Sequence, residues 1–310
     1  MELKYHLLDV FTERPFGGNQ LAVFPGADGL DARDMQRIAG ELAISETAFV
    51  LPSRRPDAAW RLRIFTPRIE LPFAGHPTIG AARLLADLGM VRRAADTAHF
   101  ALDEEAGLVP VRVRYGIGTE PFAELTAARI PVRGPDPPAV PLLAGMLGID
   151  AQDIDTSGAG PAAWSAGVPF LFVPLRSITA LARARVDLDR WRALLSSWWA
   201  VHLYLFVPAA PPGEIRARMF APAMGIAEDP ATGAAAAAIA GLLAEAAPAG
   251  DEALHWTIRQ GVEMGRPSLL AVAAGRAGGR LTEVRVGGAS VRVGEGVLRL
   301  ERDHLTSLTW

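Results

Sequence analysis

Cysteine is missing from all 310 residues, and that absence removes disulfides, thiolate metal sites and thiol nucleophiles from consideration. The chain also lacks any block of like charge. Its 31 basic and 34 acidic residues leave a net charge of -3, and no stretch tracks a phosphate backbone or grips a membrane surface, so neither nucleic acid nor a membrane is expected as a partner. Long hydrophobic runs are absent as well: none approaches the roughly 20 apolar residues needed to cross a bilayer. The opening MELKYHLLDVF has neither the basic start nor the unbroken apolar segment of a signal peptide. Together these absences predict a soluble, cytoplasmic protein. The six histidines, His6, His76, His99, His202, His255 and His304, are scattered, with none at metal-ligand spacing from another, so no metal site is expected.

What is present is apolar bulk and a repeat. Half of the residues are hydrophobic, and a chain of this length tends to divide its core in two. Residues 61–82 read RLRIFTPRIELPFAGHPTIGAA and residues 216–235 read RARMFAPAMGIAEDPATGAA. Both carry Arg-x-Arg-x-Phe-x-Pro, a short variable stretch, and a proline three residues before Gly-Ala-Ala. In this alignment His76 falls opposite Asp229, each directly before a proline. A duplicated chain predicts two similar halves, and the prolines of GPDPPAVP at 134–141 suit a linker. The expected domains are 1–133 and 134–310, with the extreme C-terminus packing back on the first half.

Short apolar or alternating runs predict strands at residues 5–11, 20–24, 46–51, 60–65 and 108–115, and an Asp-capped amphipathic helix over 31–42. The second half adds strands at 169–174, 202–207, 215–220, 269–274 and 282–300, the last with turns at its glycines. The class is α+β, with little regular βαβ alternation. Residues 230–247, PATGAAAAAIAGLLAEAA, are small and apolar on nearly every face, the composition of a helix wrapped by sheet; residues 77–88 are a milder version. Proline at the first helical position of each would make His76 and Asp229 the N-cap residues.

Helix amino termini present unpaired N–H groups and attract carboxylates. Two of them meeting across a domain interface, each with a side chain able to take or orient a proton, would bind a small acid. Asp229 also suits an ordinary cap, and His76 suits either role. Glu46, after one helix and at the head of an apolar run, reads either as a general acid–base beside buried surface or as a solvated loop residue. Asn19, in GGNQ, reads as a turn residue or as a polar ligand contact. Gly75, Gly80 and Gly233 would let a substrate approach the backbone closely.

Several of these residues lie in longer motifs: DVFTERPFGGNQLAVF at 9–24, ISETAFV at 44–50, RIFTPRIELPFAGHPTIGAA at 63–82, GVPFLFVPL at 167–175, EDPATGAA at 228–235 and QGVEMGRPS at 260–268. Taken in order, they resemble the PhzF-like family of phenazine biosynthesis proteins, relatives of diaminopimelate epimerase. The resemblance spans essentially the whole chain. It implies two pseudo-symmetric domains, each a barrel-like mixed β-sheet wrapped around a central α-helix, with the site in the cleft between them. It further implies a homodimeric, cofactor-independent isomerase acting on a small carboxylic acid. The characterised activity is conversion of trans-2,3-dihydro-3-hydroxyanthranilate to its ketone tautomer by moving a proton from C3 to C1.

On this resemblance Glu46 transfers the proton and His76 and Asp229 are its polar companions, while Asn19, Gly75, Gly80, Gly233 and Ala234 contact substrate. Racemases of the fold carry one thiol per half where His76 and Asp229 stand here, so a two-cysteine mechanism is excluded. One departure from the family pattern is Ala234, where the phenazine enzyme has serine; the backbone donors of Gly233 and Ala234 remain. A non-catalytic binding or scaffold protein, or an epimerase or lyase using the same glutamate, are the alternative expectations.

Overall fold

Runs rich in Val, Ile, Leu and Phe become strands, and the two Ala- and Gly-rich segments become helices that those strands enclose. The computed structural model describes residues 1–116, 120–209 and 213–300. Its contacts form two units, one of Met1–Leu125 with the chain from Gly288 onward and one of Thr126–Gly287.

In the first unit β1 (Glu2–Val10) is antiparallel to β2 (Asn19–Phe24). After α1 (Ala32–Leu42), β3 (Glu46–Leu51) lies parallel to β2. Next, β4 (Trp60–Phe65) pairs antiparallel with β3 and with the short β5 (Glu70–Leu71). The central helix α2 (Gly75–Asp87) and β6 (Arg93–Ala94) follow. Then β7 (Thr97–Glu104) lies parallel to β4, and β8 (Gly107–Arg114) and β9 (Phe122–Thr126) continue the sheet as antiparallel neighbours.

The second unit repeats this plan. Here β10 (Val132–Arg133) and α3 (Val140–Leu147) precede β11 (Ala162–Ser165), which is antiparallel to β12 (Pro169–Pro174). Two helices, α4 (Ile178–Arg183) and α5 (Leu188–Leu195), then lead to β13 (His202–Ala209), parallel to β12. Antiparallel β14 (Glu214–Ala221), the short β15 (Ile226–Asp229) and the central α6 (Gly233–Ala246) follow. The unit closes with β16 (Leu254–Gln260) parallel to β14, antiparallel β17 (Ser268–Ala277) and the first eight residues of β18 (Arg280–Arg299), whose remainder belongs to the first unit. The duplication seen in some twenty residues thus extends to the order and sense of every principal strand pairing.

Three boundaries differ from the sequence expectations. The units divide at Leu125/Thr126, not at 133/134, because Val132 and Arg133 pair with Ser165 and Trp164 of β11. The last region is one continuous 20-residue strand without turns at its glycines. Its later part pairs with β1, and at Gly296 a Cβ would lie 2.6 Å from the Tyr5 hydroxyl, so the glycine makes room for a neighbour's ring. The central helices also start elsewhere. Ala74 is the N-cap of α2 and His76 its second residue, because Pro77 still falls in the first turn, where no N–H partner is required. Thr232 is the N-cap of α6, while Asp229 ends β15 opposite Met219 and leaves Pro230 outside the helix.

Asp31 does cap α1, accepting from the Asp34 N–H at 2.8 Å. Every residue of α2 from Gly75 to Ala86 is buried. In α6, Gly233 and Ala235 to Leu242 are buried. Small side chains let the sheets close on these helices: a Cβ on Gly241 would sit 2.3 Å from Trp164 Cε3 and 2.8 Å from Pro131 Cβ. A Gly241→Ala protein should therefore lose about 1–3 kcal/mol of stability through overpacking. Equal urea midpoints for wild type and variant would refute that packing account.

Burial also holds the His202 imidazole down to about 4, and its ring lies 5.7 Å from that of Phe170. Between pH 6.5 and about 4 the unfolded chain takes up a proton that the folded chain refuses, so stability falls with pH across that window. His202→Phe should flatten this part of the stability–pH curve, measured by denaturant unfolding; parallel curves would contradict the assignment.

Candidate active site

In the first unit, three side chains from three elements converge. Gly18, at φ +62° and with a Cβ position only 2.3 Å from the Val10 carbonyl oxygen, makes the tight turn that delivers Asn19 to the head of β2. Because β2 and β3 are parallel, with Leu21 beside Glu46, both strands begin at the same end of the sheet. His76, in the first turn of α2, lies between their leading residues. Its Nδ1 is 3.2 Å from Asn19 Nδ2 and its Nε2 is 3.1 Å from Glu46 Oε2.

With the Asn19 amide nitrogen donating to Nδ1, the ring proton lies on Nε2, the nitrogen nearer the Glu46 carboxylate. Glu46 is 8% exposed, His76 4% and Asn19 0%. Glu46 Oε2 stands at ion-pair distance from the ring but receives no aligned hydrogen bond. A buried carboxylate with an open lone pair beside an imidazole can accept a proton and hand it back.

In the second unit, Asp229 is held by a network anchored on β16. Its Oδ2 accepts from the Thr232 hydroxyl. Gln260, fully buried, donates from Nε2 to the Asp229 carbonyl at 2.7 Å and to Thr232 Oγ1 at 3.0 Å. Tyr204 donates in turn to Gln260 Oε1 at 3.1 Å. Burial, reinforced by the charge of Asp229, pushes the Tyr204 hydroxyl upward and keeps it a donor. Beside this network, Gly233 and Ala234 open α6, and their N–H groups precede the first intrahelical acceptor.

Of the expected site residues, Asn19, Glu46 and His76 are brought together, and Gly75 starts the same helix. Asp229, Gly233 and Ala234 cluster separately within the second unit. Gly80 has a packing role instead: a Cβ there would meet Leu21 Cδ2 at 2.5 Å and Val10 Cγ2 at 2.8 Å. Glu46 is a buried strand residue, not a loop residue. Asn19 is more than a turn residue, since its side chain orients His76.

Tyr204, Thr232 and Gln260 were not singled out from the sequence. Gln260 opens the QGVEMGRPS motif, but its tie to Asp229 depends on the pairing of β14 with β16. A cavity of about 490 Å³ in the first unit, lined by Arg83, Asp87, Arg93 and Tyr115, lies at the other end of α2. Its buried cation, Arg83, is already paired with Asp87 and Glu120. Among the described residues, no three His, Asp or Glu side chains group to hold a metal ion, and no helix is long and apolar enough to cross a membrane.

Known structures share this architecture. A phenazine biosynthesis protein of the PhzF family from Bacillus anthracis superposes with a TM-score of 0.87 at 24% identity, covering 97% of this chain and 100% of that one. A predicted epimerase from Pseudomonas aeruginosa superposes with a TM-score of 0.78 at 34% identity, covering 96% and 100%. Among sequence relatives, an uncharacterized isomerase of Mesorhizobium japonicum is 39% identical over 302 residues, 95% of this chain and 98% of that protein. The trans-2,3-dihydro-3-hydroxyanthranilate isomerase of Pseudomonas chlororaphis is 36% identical over 302 residues, 96% and 99% of the two chains.

Fold and relatives together define an isomerase built from epimerase-like barrel units. A model of the phenazine biosynthesis-like protein family, PhzC-PhzF, matches residues 8–296, and the chain belongs to that family.

The Asp229 network carries its own test. Gln260→Ala would strand the buried Tyr204 hydroxyl, and stability should drop by about 1–3 kcal/mol. An unchanged unfolding midpoint would show that the network does not hold this end of β15.

Proposed function

We propose that the chain is a cofactor-independent isomerase that moves a proton within a small cyclic or unsaturated carboxylic acid, with Glu46 as the general acid–base. The contact between the buried Glu46 carboxylate and the His76 imidazole is the observation that carries this reading. Glu46 takes a proton from an acidic C–H, and the electron pair left behind enters the conjugated system of the acid. The carboxyl group then returns the proton at a second carbon, so one C–H bond breaks and another forms with no redox change. For trans-2,3-dihydro-3-hydroxyanthranilate, the substrate of the relative from Pseudomonas chlororaphis, the transfer runs from C3 to C1 and yields the ketone tautomer.

In this scheme His76, oriented by Asn19, places its Nε2 proton against the charge that Glu46 and the substrate exchange. The amino-terminal N–H of Gly75, on the helix turn that carries His76, receives the substrate carboxylate.

Turnover of trans-2,3-dihydro-3-hydroxyanthranilate, followed by absorbance for wild type beside Glu46→Gln, tests the reading. The amide cannot accept the proton, and kcat should fall by about 10²–10⁴-fold while the fold is kept. A folded variant with full activity would remove Glu46 from the mechanism. A folded wild type that binds this acid without turning it over would favour a binding protein.

A further inference from the structure

A second buried carboxyl, used by none of these steps, lies behind the first turn of α2. Glu104 ends β7 and is buried. Its Oε1 is 2.6 Å from Thr78 Oγ1, and the same hydroxyl oxygen is 2.7 Å from the carbonyl oxygen of Ala74. A threonine hydroxyl has one proton to give, whereas a carbonyl and an ionised carboxylate only accept. With Glu104 ionised, one of these two short oxygen–oxygen contacts would have no hydrogen in it. A protonated Glu104 satisfies both: it donates to Thr78 Oγ1, and Thr78 donates to Ala74.

The surroundings agree with that proton count. Burial pushes the Glu104 carboxyl up to about 8, opposed only by its bond to Thr78, and no charged group contributes. Its Oε2 has no hydrogen-bond partner, a vacancy that costs less on a neutral acid than on a carboxylate.

What the bond holds is the entry to α2. The N-cap residue Ala74 makes no side-chain capping bond, so this terminus lacks the usual restraint. In its place, Thr78 N and Oγ1 both reach the Ala74 carbonyl, at 3.3 and 2.7 Å. The turn after Glu104 adds a further tie through the Ala106 N–H to the Pro72 carbonyl at 2.9 Å. His76 lies between the tethered residues, two positions from each of Ala74 and Thr78.

We propose that Glu104 is a positioning residue: a neutral carboxylic acid that donates through Thr78 to the Ala74 carbonyl and so fixes the first turn of α2, on which His76 meets Glu46. The effect on turnover rests on the function proposed above; the effect on His76 does not.

The test combines Glu104→Gln, whose amide supplies a fixed donor, with Glu104→Ala, which supplies none. Glutamine should preserve the ¹⁵N resonances of the His76 ring and keep kcat near wild type. Alanine should shift those resonances and lower kcat by about 10- to 100-fold with little change in KM. In isotope-edited infrared spectra at neutral pH, the wild type should show a protonated carboxyl band that Glu104→Gln removes. Absence of that band, or glutamine perturbing His76 as much as alanine does, overturns the proposal. Should the alanine variant fail to fold, Thr78→Val, which breaks the same relay, takes its place in the comparison. If the band and the ring shifts appear as expected but wild type turns over no acid, the function reading has failed and the role of Glu104 stands.

Discussion

Enclosing a helix within a sheet constrains everything else in each unit. A helix covered on nearly every face has no room for large side chains, so α2 is buried without a break from Gly75 to Ala86 and α6 runs largely on alanine. Its ends are as constrained as its flanks, because buried N–H groups need partners or a purpose. Neither central helix begins with a side-chain cap. Each amino terminus instead opens beside acidic or titratable groups of its own unit, Glu46 and His76 for α2 and Asp229 for α6.

The proposed chemistry follows from that arrangement. Parallel pairing of β2 with β3 brings Asn19 and Glu46 to one end of the sheet, and the first turn of α2 supplies His76. Excluding water strengthens the attraction between imidazole and carboxylate relative to an exposed pair. It also leaves a developing charge dependent on groups already in place. The second unit treats Asp229 in a different way, clasping it with Thr232 and with a glutamine from β16.

The fold was legible in the sequence because its two most informative signals are compositional. An Ala-rich segment apolar on every side has few places to go except inside a sheet, and two copies of Arg-x-Arg-x-Phe-x-Pro mark a duplication. The strands at Glu46–Leu51, Trp60–Phe65 and Pro169–Pro174 have the limits their apolar runs predicted. Helix starts were less legible, since a proline fits the first, second or third position equally and only tertiary pairing decided that Asp229 belongs to a strand. Least legible were the buried polar partners. Gln260 and Asp229 are 31 residues apart, Glu104 and Thr78 are 26 apart, and no local pattern announces either contact.

The claim that one carboxyl both removes and returns the proton is tested most directly by following the hydrogen itself. Substrate carrying deuterium at the carbon that loses the proton would be converted in ordinary water in a single turnover, and the product examined by mass and NMR. A base as secluded as Glu46 predicts that part of the label reappears at the receiving carbon. Complete loss of label to solvent at the shortest times, with no deuterium at the receiving carbon, would contradict a single-base shuttle and require separate groups for the two steps.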